Sequence, residues 1–224
     1  VIYYWPFAGW ITSLVVALTF TASLSIFPLS IAIILTIISR VVLTGALHED
    51  GLADFLDGFG GGSTREKTLA IMKDSHAGTY AILGLVLYFL LMHQTLSQFD
   101  PTLMIAFLLI TDPFCKMLSS FITLRLPYAR TLDASKSKTI YAQATHREIL
   151  TSLSLGLPPF FCIGIYLPNY YYLLAIITPI VLFFLLTQWM QHKIQGYTGD
   201  CAGALFLLLE LSMLLTLLAI HTQL

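Results

Sequence analysis

The chain has 224 residues, of which 57% are hydrophobic and only 10% are charged, and its mean hydropathy is +0.83. A soluble domain carries about 25% charged residues. This composition therefore excludes a soluble globular enzyme, a disordered chain and a disulfide scaffold. The formal net charge of −1 excludes a protein that binds nucleic acid through bulk positive charge. We expect a polytopic membrane protein whose few charged residues have individual roles.

Apolar stretches long enough to cross a membrane occur seven times, since a spanning helix needs about 20 mostly apolar residues. We therefore predict an all-α fold: a polytopic integral membrane helical bundle of about seven transmembrane helices plus a short interfacial helix. It would form a single transmembrane catalytic domain over residues 1–224, with a trimmed natural N-terminus because the first residue is Val1. The predicted spans are approximately 10–27, 28–47, 77–96, 101–124, 149–167, 170–190 and 199–220. The first two would form a tight hairpin, or a re-entrant pair.

The basic residues orient this bundle. Of the eleven Lys and Arg residues, Arg40 and Lys116 lie within predicted spans. All others fall in or beside three loops on one side, and by the positive-inside rule that side is cytoplasmic. The N-terminus would then be inside, in a prokaryotic cytoplasmic (inner) membrane. These loop residues are Arg65, Lys67, Lys73, Arg125, Arg130, Lys136, Lys138, Arg147 and Lys193.

Two of these loops are predicted to do more than connect two spans. Residues 63–66, Ser-Thr-Arg-Glu, predict a capping box that starts a short surface helix ending near Asp74. The second loop, about residues 126–146, is polar and basic, and we predict that it covers the site as a lid.

The most informative stretch is residues 48–58, which holds four of the twelve acidic residues. On a helix, Asp50, Asp54 and Asp57 stand at i, i+4 and i+7, within an arc of about 60°. Glu49 points about 100° away from Asp50, so it either reaches the site through a bend or pairs elsewhere. Three like charges on one face repel strongly, which indicates a bound cation. Mg²⁺ is commonly held by a few carboxylates together with substrate phosphates.

The acidic stretch also has a simpler interpretation. A solvated acidic helix end would place carboxylates there without any bound ion. The glycines within the stretch argue against that, because Gly51 and Gly58 share a second face and permit close approach of a helix or a substrate.

Two further polar segments lie on the same predicted side. Lys73, Ser75 and the start of the third span suit a phosphate, and His76 flanks them; ordinary capping by Asp74 or Ser75 is the alternative. The second segment, residues 196–204, offers backbone amides around its glycines to phosphate and Asp200 as a metal ligand, or else only a helix cap.

Charged residues inside the spans are expected to be paired or functional. Asp112 and Lys116 stand at i and i+4, as a structural pair or the floor of a polar cavity. Arg40 would pair with either acid, Asp112 or Glu210, or extend toward the cytoplasm.

Several of these motifs together resemble the cobalamin synthase (adenosylcobinamide-GDP ribazoletransferase) family, in one order over nearly the whole chain. The resemblance lies in residues 48–58 (HEDGLADFLDG), in 71–75 (IMKDS) followed by Gly78, in 196–200 (GYTGD) followed by Gly203, and in 5–9 (WPFAG).

The resemblance implies an Mg²⁺-dependent reaction between adenosylcobinamide-GDP and α-ribazole or its 5′-phosphate, giving adenosylcobalamin or its phosphate and GMP. In this hypothesis Asp50, Asp54 and Asp57 hold one or two Mg²⁺ ions, Asp200 and Glu49 join the metal ligands, and one of the three aspartates or Asp74 is the general base. The expected substrate-binding residues are Lys73, Ser75, His76, Thr198 and Gly199. Expected partners are the two small-molecule substrates and membrane lipid, with no nucleic acid; a homo-oligomer is left open.

Two other functions compete with this hypothesis. A CDP-alcohol-type phosphotransferase would share the metal site and differ in its acceptor, although Asp54 stands where that class carries Arg. A cation transporter would place its acids near the middle of the bilayer on broken helices, whereas this acidic stretch is predicted at the helix ends.

Overall fold

The structure is a computed structural model that describes residues 2–130, 145–164 and 169–223. Within these ranges the chain is a bundle of helices, as predicted. A 3₁₀ turn, Ile2–Tyr4, precedes the first helix, and another, Tyr170–Ile176, precedes the tenth. The helices are α1 (Trp5–Leu24), α2 (Leu29–Thr44), α3 (Leu47–Gly61), α4 (Arg65–Ile71), α5 (Thr79–Leu96), α6 (Pro101–Ser120), α7 (Ile122–Arg125), α8 (His146–Gly156), α9 (Pro158–Gly164), α10 (Ile177–Ile194) and α11 (Gly199–His221).

Five helical segments of the described chain are long and apolar enough to cross a membrane, and a sixth span would be the bent pair formed by α2 and α3. The predicted count of seven is therefore not confirmed. The five are Ile2–Leu24, Thr79–Leu96, Pro101–Arg125, Tyr170–Ile194 and Gly199–His221.

The sharpest difference from the predicted spans is a bend of 89° between α2 and α3. Gly45 ends α2 with φ of 62° and Ala46 follows with φ of 57°. Left-handed backbone at the end of a helix stops it, and a second such residue turns the chain further. The acidic stretch thus forms its own helix, α3, instead of continuing the apolar one.

The predicted span 149–167 also differs. Here α8 ends at Gly156 and α9 begins at Pro158, because proline has no N–H to continue a helix. Residues 165–168 of that span lie outside the described chain. So do residues 131–144, most of the predicted lid, with Lys136 and Lys138.

The short helix between the second and third predicted spans exists as α4, but its predicted start is wrong by one residue. Thr64, not Ser63, is the N-cap, and its side-chain oxygen accepts a hydrogen bond from the Lys67 N–H at 3.2 Å. The helix ends at Ile71, before the predicted Asp74.

The core of the bundle lies around α6 and α11, whose apolar side chains are largely buried. Helix α1 packs on α2 and α6, and α3 packs on α11, α5 and α4. Small residues permit the closest contacts: a Cβ on Gly9 would lie 2.7 Å from Cα of Pro113. Gly9 is part of the 5–9 motif, so that motif joins α1 to α6.

Three basic loops meet at one end of the bundle, as their charge predicted. Arg65 donates to the carbonyl of Ile194 at 3.0 Å and to that of Ala129 at 2.8 Å. Tyr197 makes two backbone hydrogen bonds across the same junction: its carbonyl accepts from the N–H of Ala129, and its N–H donates to the carbonyl of Pro127. We call this end the basic end; it positions the acidic helix.

Candidate active site

The acidic face of α3 lies at the basic end, where α3 meets the start of α11. Asp50 is exposed, Asp54 is half-buried and Asp57 is buried. The three predicted ligands are thus on one helix, as expected, but they differ in environment. Only Asp50 and Asp54 offer carboxylates toward solvent.

Close packing brings Asp200 beside this face. A Cβ on Gly51 would lie 2.9 Å from the backbone oxygen of Asp200, and one on Gly203 would lie 3.4 Å from Cα of His48. The helices α3 and α11 therefore run in opposite directions in direct backbone contact. Gly51 stands between Asp50 and Asp54 in sequence, so Asp200 lies at the level of the acidic pair.

The start of α11 is built around Thr198. This residue is buried, and its hydroxyl oxygen accepts from the N–H of Cys201 at 3.3 Å. Thr198, not Asp200, is thus the helix cap. Gly199 is exposed, and a Cβ there would contact nothing within 4 Å. The open space at Gly199, next to a helix N-terminus, suits an anion.

Asp57 contacts a different helix. Its Oδ2 accepts a hydrogen bond from the N–H of Gly78, and its Oδ1 accepts one from the N–H of Ala81 at 2.9 Å. Both carboxylate oxygens therefore bind the first turn of α5. Neither Asp74 nor Ser75 caps that helix, so the capping alternative for these two residues does not apply to α5.

The segment between α4 and α5 forms an exposed turn. Oδ1 of Asp74 accepts from the backbone N–H of His76 at 3.0 Å and lies 2.7 Å from the Nδ1 atom of the same residue. These hydrogen bonds lower the pKa of the Asp74 carboxyl. Because a lowered pKa makes a weaker base, the environment does not favour Asp74 as the general base. Lys73, Ser75 and His76 are exposed and accessible to a ligand.

Glu49 points into the bundle, away from Asp50. It is 4% exposed, and its Oε1 lies 3.9 Å from an NH2 nitrogen of Arg40. The sequence left open whether Glu49 reaches the site or pairs elsewhere, and in the structure it pairs elsewhere, with Arg40. This placement does not support Glu49 as a ligand in one site with Asp50 and Asp54.

The interior charges are paired. Arg40 donates to Glu210 and, at 2.7 Å, to the hydroxyl of Tyr88. With Glu49 as its third partner, it links α2, α3, α5 and α11. Its pairing with Glu210 is one of the predicted alternatives.

A second interior pair joins α6 to α1. Lys116 lies 2.6 Å from Asp112, and both are buried. The hydroxyl of Thr12 donates to Asp112 and accepts from Lys116, each at 2.7 Å. Of the two predicted alternatives, the structure therefore shows the structural pair.

Arg130 is a residue whose position the sequence did not reveal. In the sequence it contributes only to the orientation of the bundle. In the structure it is buried, its guanidinium donates to the carbonyl of Leu69 at 3.1 Å, and it lies 3.8 Å from Asp200. It thus brings a positive charge to the predicted metal and phosphate site. Its position depends on the meeting of three loops, which no local pattern encodes.

The described residues contain no group of three or more His, Cys, Asp or Glu side chains placed to hold a metal ion together. Mg²⁺ usually keeps several waters and takes one or two carboxylates plus substrate phosphates. The accessible carboxylates of Asp50 and Asp54 fit that donor set. Asp200, whose carboxylate accepts from the Thr198 hydroxyl and lies 3.8 Å from Arg130, packs against Gly51 beside them. The residues therefore suit an ion completed by a substrate phosphate.

The fold and this site define an integral membrane enzyme with an acidic site at one end of a helical bundle. The chain belongs to the cobalamin-5-phosphate synthase family, whose pattern it matches over residues 1–218. It is a transferase of cobalamin synthesis. The resemblance inferred from the motifs is therefore confirmed.

Relatives cover almost all of the chain. It is 36% identical to an adenosylcobinamide-GDP ribazoletransferase of Shewanella amazonensis, over 98% of this chain and 85% of the relative. It is 35% identical to the protein of the same name from Vibrio parahaemolyticus, over 97% and 81%. The Vibrio cholerae protein of that name is 32% identical over 96% and 82%. No solved structure matches the chain.

Proposed function

We propose that this enzyme joins adenosylcobinamide-GDP to α-ribazole or its 5′-phosphate. A ribose hydroxyl of the ribazole attacks the phosphorus on the corrinoid side, the phosphoanhydride bond breaks, and GMP leaves. The hydroxyl proton passes to a carboxylate, and adenosylcobalamin or its 5′-phosphate is formed. The names of the relatives support these substrates. The observation that carries the proposal is the accessible Asp50 and Asp54 pair beside Asp200.

The acidic pair and Asp200 would hold Mg²⁺, which when bound neutralises charge on a diphosphate and on its leaving group. The chain's own residues would orient the substrates. Gly199, at the open start of α11, would receive phosphate oxygens. Lys73 and Ser75, exposed between α4 and α5, would contact the remaining phosphate.

The base would be one of the accessible aspartates. Asp54 is half-buried, so it is open to solvent and would face a bound substrate. Asp57 is less suited, because it is buried and both of its carboxylate oxygens already accept from amides of α5.

This site would face the cytoplasm of a prokaryotic inner membrane, with the N-terminus inside, because the basic loops lie at the same end. Ser75→Cys tests this orientation. A membrane-impermeant thiol reagent should label the variant in inverted vesicles and spare it in intact cells; labelling in intact cells would reverse the orientation.

The reaction is tested by single-turnover formation of GMP and a cobamide in liposomes that contain the purified enzyme. With adenosylcobinamide-GDP and α-ribazole, product should appear with Mg²⁺ and disappear with EDTA. Product from CDP-alcohol substrates, or cation flux without any GMP, would replace the proposal by one of its two competitors. The transporter is disfavoured because Glu210 and Asp112 are each paired with a buried base.

A further inference from the structure

Asp57 serves a helix that has no cap of its own. The N-cap position of α5 is Gly78, which has no side chain to accept from the first turn. The N–H groups at the start of a helix have no partner within it and need an acceptor. Asp57 accepts from Gly78 and Ala81 across 21 and 24 residues of sequence, so it supplies the missing cap from another helix.

The fit leaves no room for a side chain at position 78. A Cβ there would lie 2.8 Å from Oδ1 of Asp57 and 3.0 Å from its Cγ and Oδ2. Real Cβ atoms essentially never come so close to a neighbour as the shortest of these distances. The backbone at Gly78 is therefore pressed directly onto the carboxylate.

The same helix also holds the other end of the exposed turn. A Cβ on Gly58 would lie 2.3 Å from Cγ of Met72 and 3.1 Å from the carbonyl oxygen of Thr68. Met72 is the C-cap of α4 and Gly78 is the N-cap of α5, so α3 contacts both sides of the segment 73–77 through two consecutive residues. That segment carries Lys73 and Ser75, which we assign to phosphate.

We propose that Asp57 is a positioning residue, which fixes residues 73–77 relative to Asp50 and Asp54, and not a metal ligand. This inference rests on the proposed function for its effect on the substrate. The hydrogen bonds to two amides occupy one position on each carboxylate oxygen, and they turn the carboxylate toward α5. Substrate phosphate would then be held by a turn whose place depends on this cap.

The test compares Asp57→Asn with Asp57→Ala. Asparagine keeps one acceptor oxygen but presents an NH2 group to the second amide, whereas alanine keeps neither acceptor, so a capping role predicts a graded loss. We expect Asp57→Ala to raise the KM for adenosylcobinamide-GDP about tenfold. Asp57→Asn should raise it about threefold. The Mg²⁺ concentration for half-maximal rate should stay unchanged in both variants.

A variant that leaves every carboxylate in place gives an independent check. Gly78→Ala pushes a methyl group against Asp57, so it should copy Asp57→Ala. Gly61→Ala is the matched control, because a Cβ there has only an ordinary contact, at 3.4 Å from Cδ1 of Ile71.

Hydrogen exchange provides a readout that needs no activity. In detergent without substrate, the amides of residues 78–81 should exchange about tenfold faster in Asp57→Ala and Gly78→Ala than in the wild type, because a lost cap lets the first turn open. Exchange in Gly61→Ala should stay near the wild-type rate, and exchange in Asp57→Asn should lie between the wild-type rate and that of Asp57→Ala.

Two results would overturn the inference. One is unchanged exchange at residues 78–81 in Asp57→Ala. The other is an Asp57→Asn variant as impaired as Asp57→Ala with a higher Mg²⁺ requirement, which is the behaviour of a metal ligand and is expected of Asp50→Asn. If the variants exchange as predicted but the wild-type protein makes no GMP, the capping role stands and the proposed reaction is removed instead.

Discussion

Two groups of charged residues in this molecule differ in how their charges are balanced. In the interior, Arg40 pairs with Glu210 and Lys116 pairs with Asp112, and all four are buried. At the basic end, Asp50 and Asp54 lie on one accessible face of α3. Arg40 connects different helices through its partners, whereas Lys116 and Asp112 both lie on α6 and contact α1 through the hydroxyl of Thr12. Asp50 and Asp54 are instead carboxylates that solvent reaches, and a ligand role is proposed for them.

The largest effect should follow from changing the accessible pair. Asp54→Asn removes a charged oxygen donor from the site, and a metal ion contributes several kcal/mol to such transfers. We expect turnover to fall about 100-fold or more, with an unchanged melting temperature, as measured by GMP release and thermal unfolding.

Asp100→Asn is the matched control for that change. Asp100 caps α6, accepting from Thr102 and Leu103, and asparagine caps equally well. It should therefore keep wild-type turnover. Near-normal activity of Asp54→Asn would remove Asp54 from the metal site.

The interior pair should respond in stability more than in chemistry. Lys116→Met leaves Asp112 buried without its counter-ion, and breaking a buried pair in this way costs about 3–5 kcal/mol. The melting temperature in detergent should fall accordingly. The double variant Lys116→Met, Asp112→Leu should recover most of the loss, because apolar replacement of both partners is often neutral. A double variant no more stable than the single one would show that the pair is not the unit of stability.

The contact between α3 and α11 brings Asp200 to the level of the accessible pair and can be tested by adding one methyl group. Gly51→Ala places a Cβ 2.9 Å from the backbone of Asp200, which cannot move aside as a side chain can. Overpacking of this kind costs about 1–3 kcal/mol of stability, and the backbone of Asp200 has to shift to relieve it, so we expect about a tenfold loss of GMP release. Gly203→Ala, whose Cβ would lie 3.4 Å from His48, should lose little. Equal effects of the two variants would mean that the Gly51 contact does not position Asp200.

The sequence predicts much of this arrangement, because apolar length and helical spacing are local properties. The spans at 101–124 and 199–220 match α6–α7 and α11 closely, and the shared face of Asp50 and Asp54 follows from their spacing of four residues. The bend after Thr44 was missed, since Ala46 carries no local sign of its left-handed backbone.

Contacts between distant residues could not be predicted in this way. The capping of α5 by Asp57 depends on the packing of α3 against α5, and the spacing of Asp57 from Asp50 and Asp54 fits a ligand equally well. The burial of Arg130 beside Asp200 likewise requires three loops to meet. Residue spacing therefore predicted the acidic face of α3 and left the separate roles of its aspartates undecided.

The smallest effect should come from Asp74, which resembles the accessible pair in exposure but not in environment. The backbone N–H and the ring of His76 lower the pKa of its carboxyl. A carboxyl whose pKa is lower in the folded protein than in the unfolded chain stabilises the folded state. That contribution is complete above the pKa of the unfolded chain, about 3.9 for Asp, and is lost only as the pH falls through the lowered pKa. The turn should therefore stay intact from pH 9 to pH 5. Asp74→Asn should reduce the rate about threefold at most, and the acid side of the pH–rate profile should not move. A profile that loses its acid limb in Asp74→Asn would make Asp74 the general base in place of an aspartate on α3.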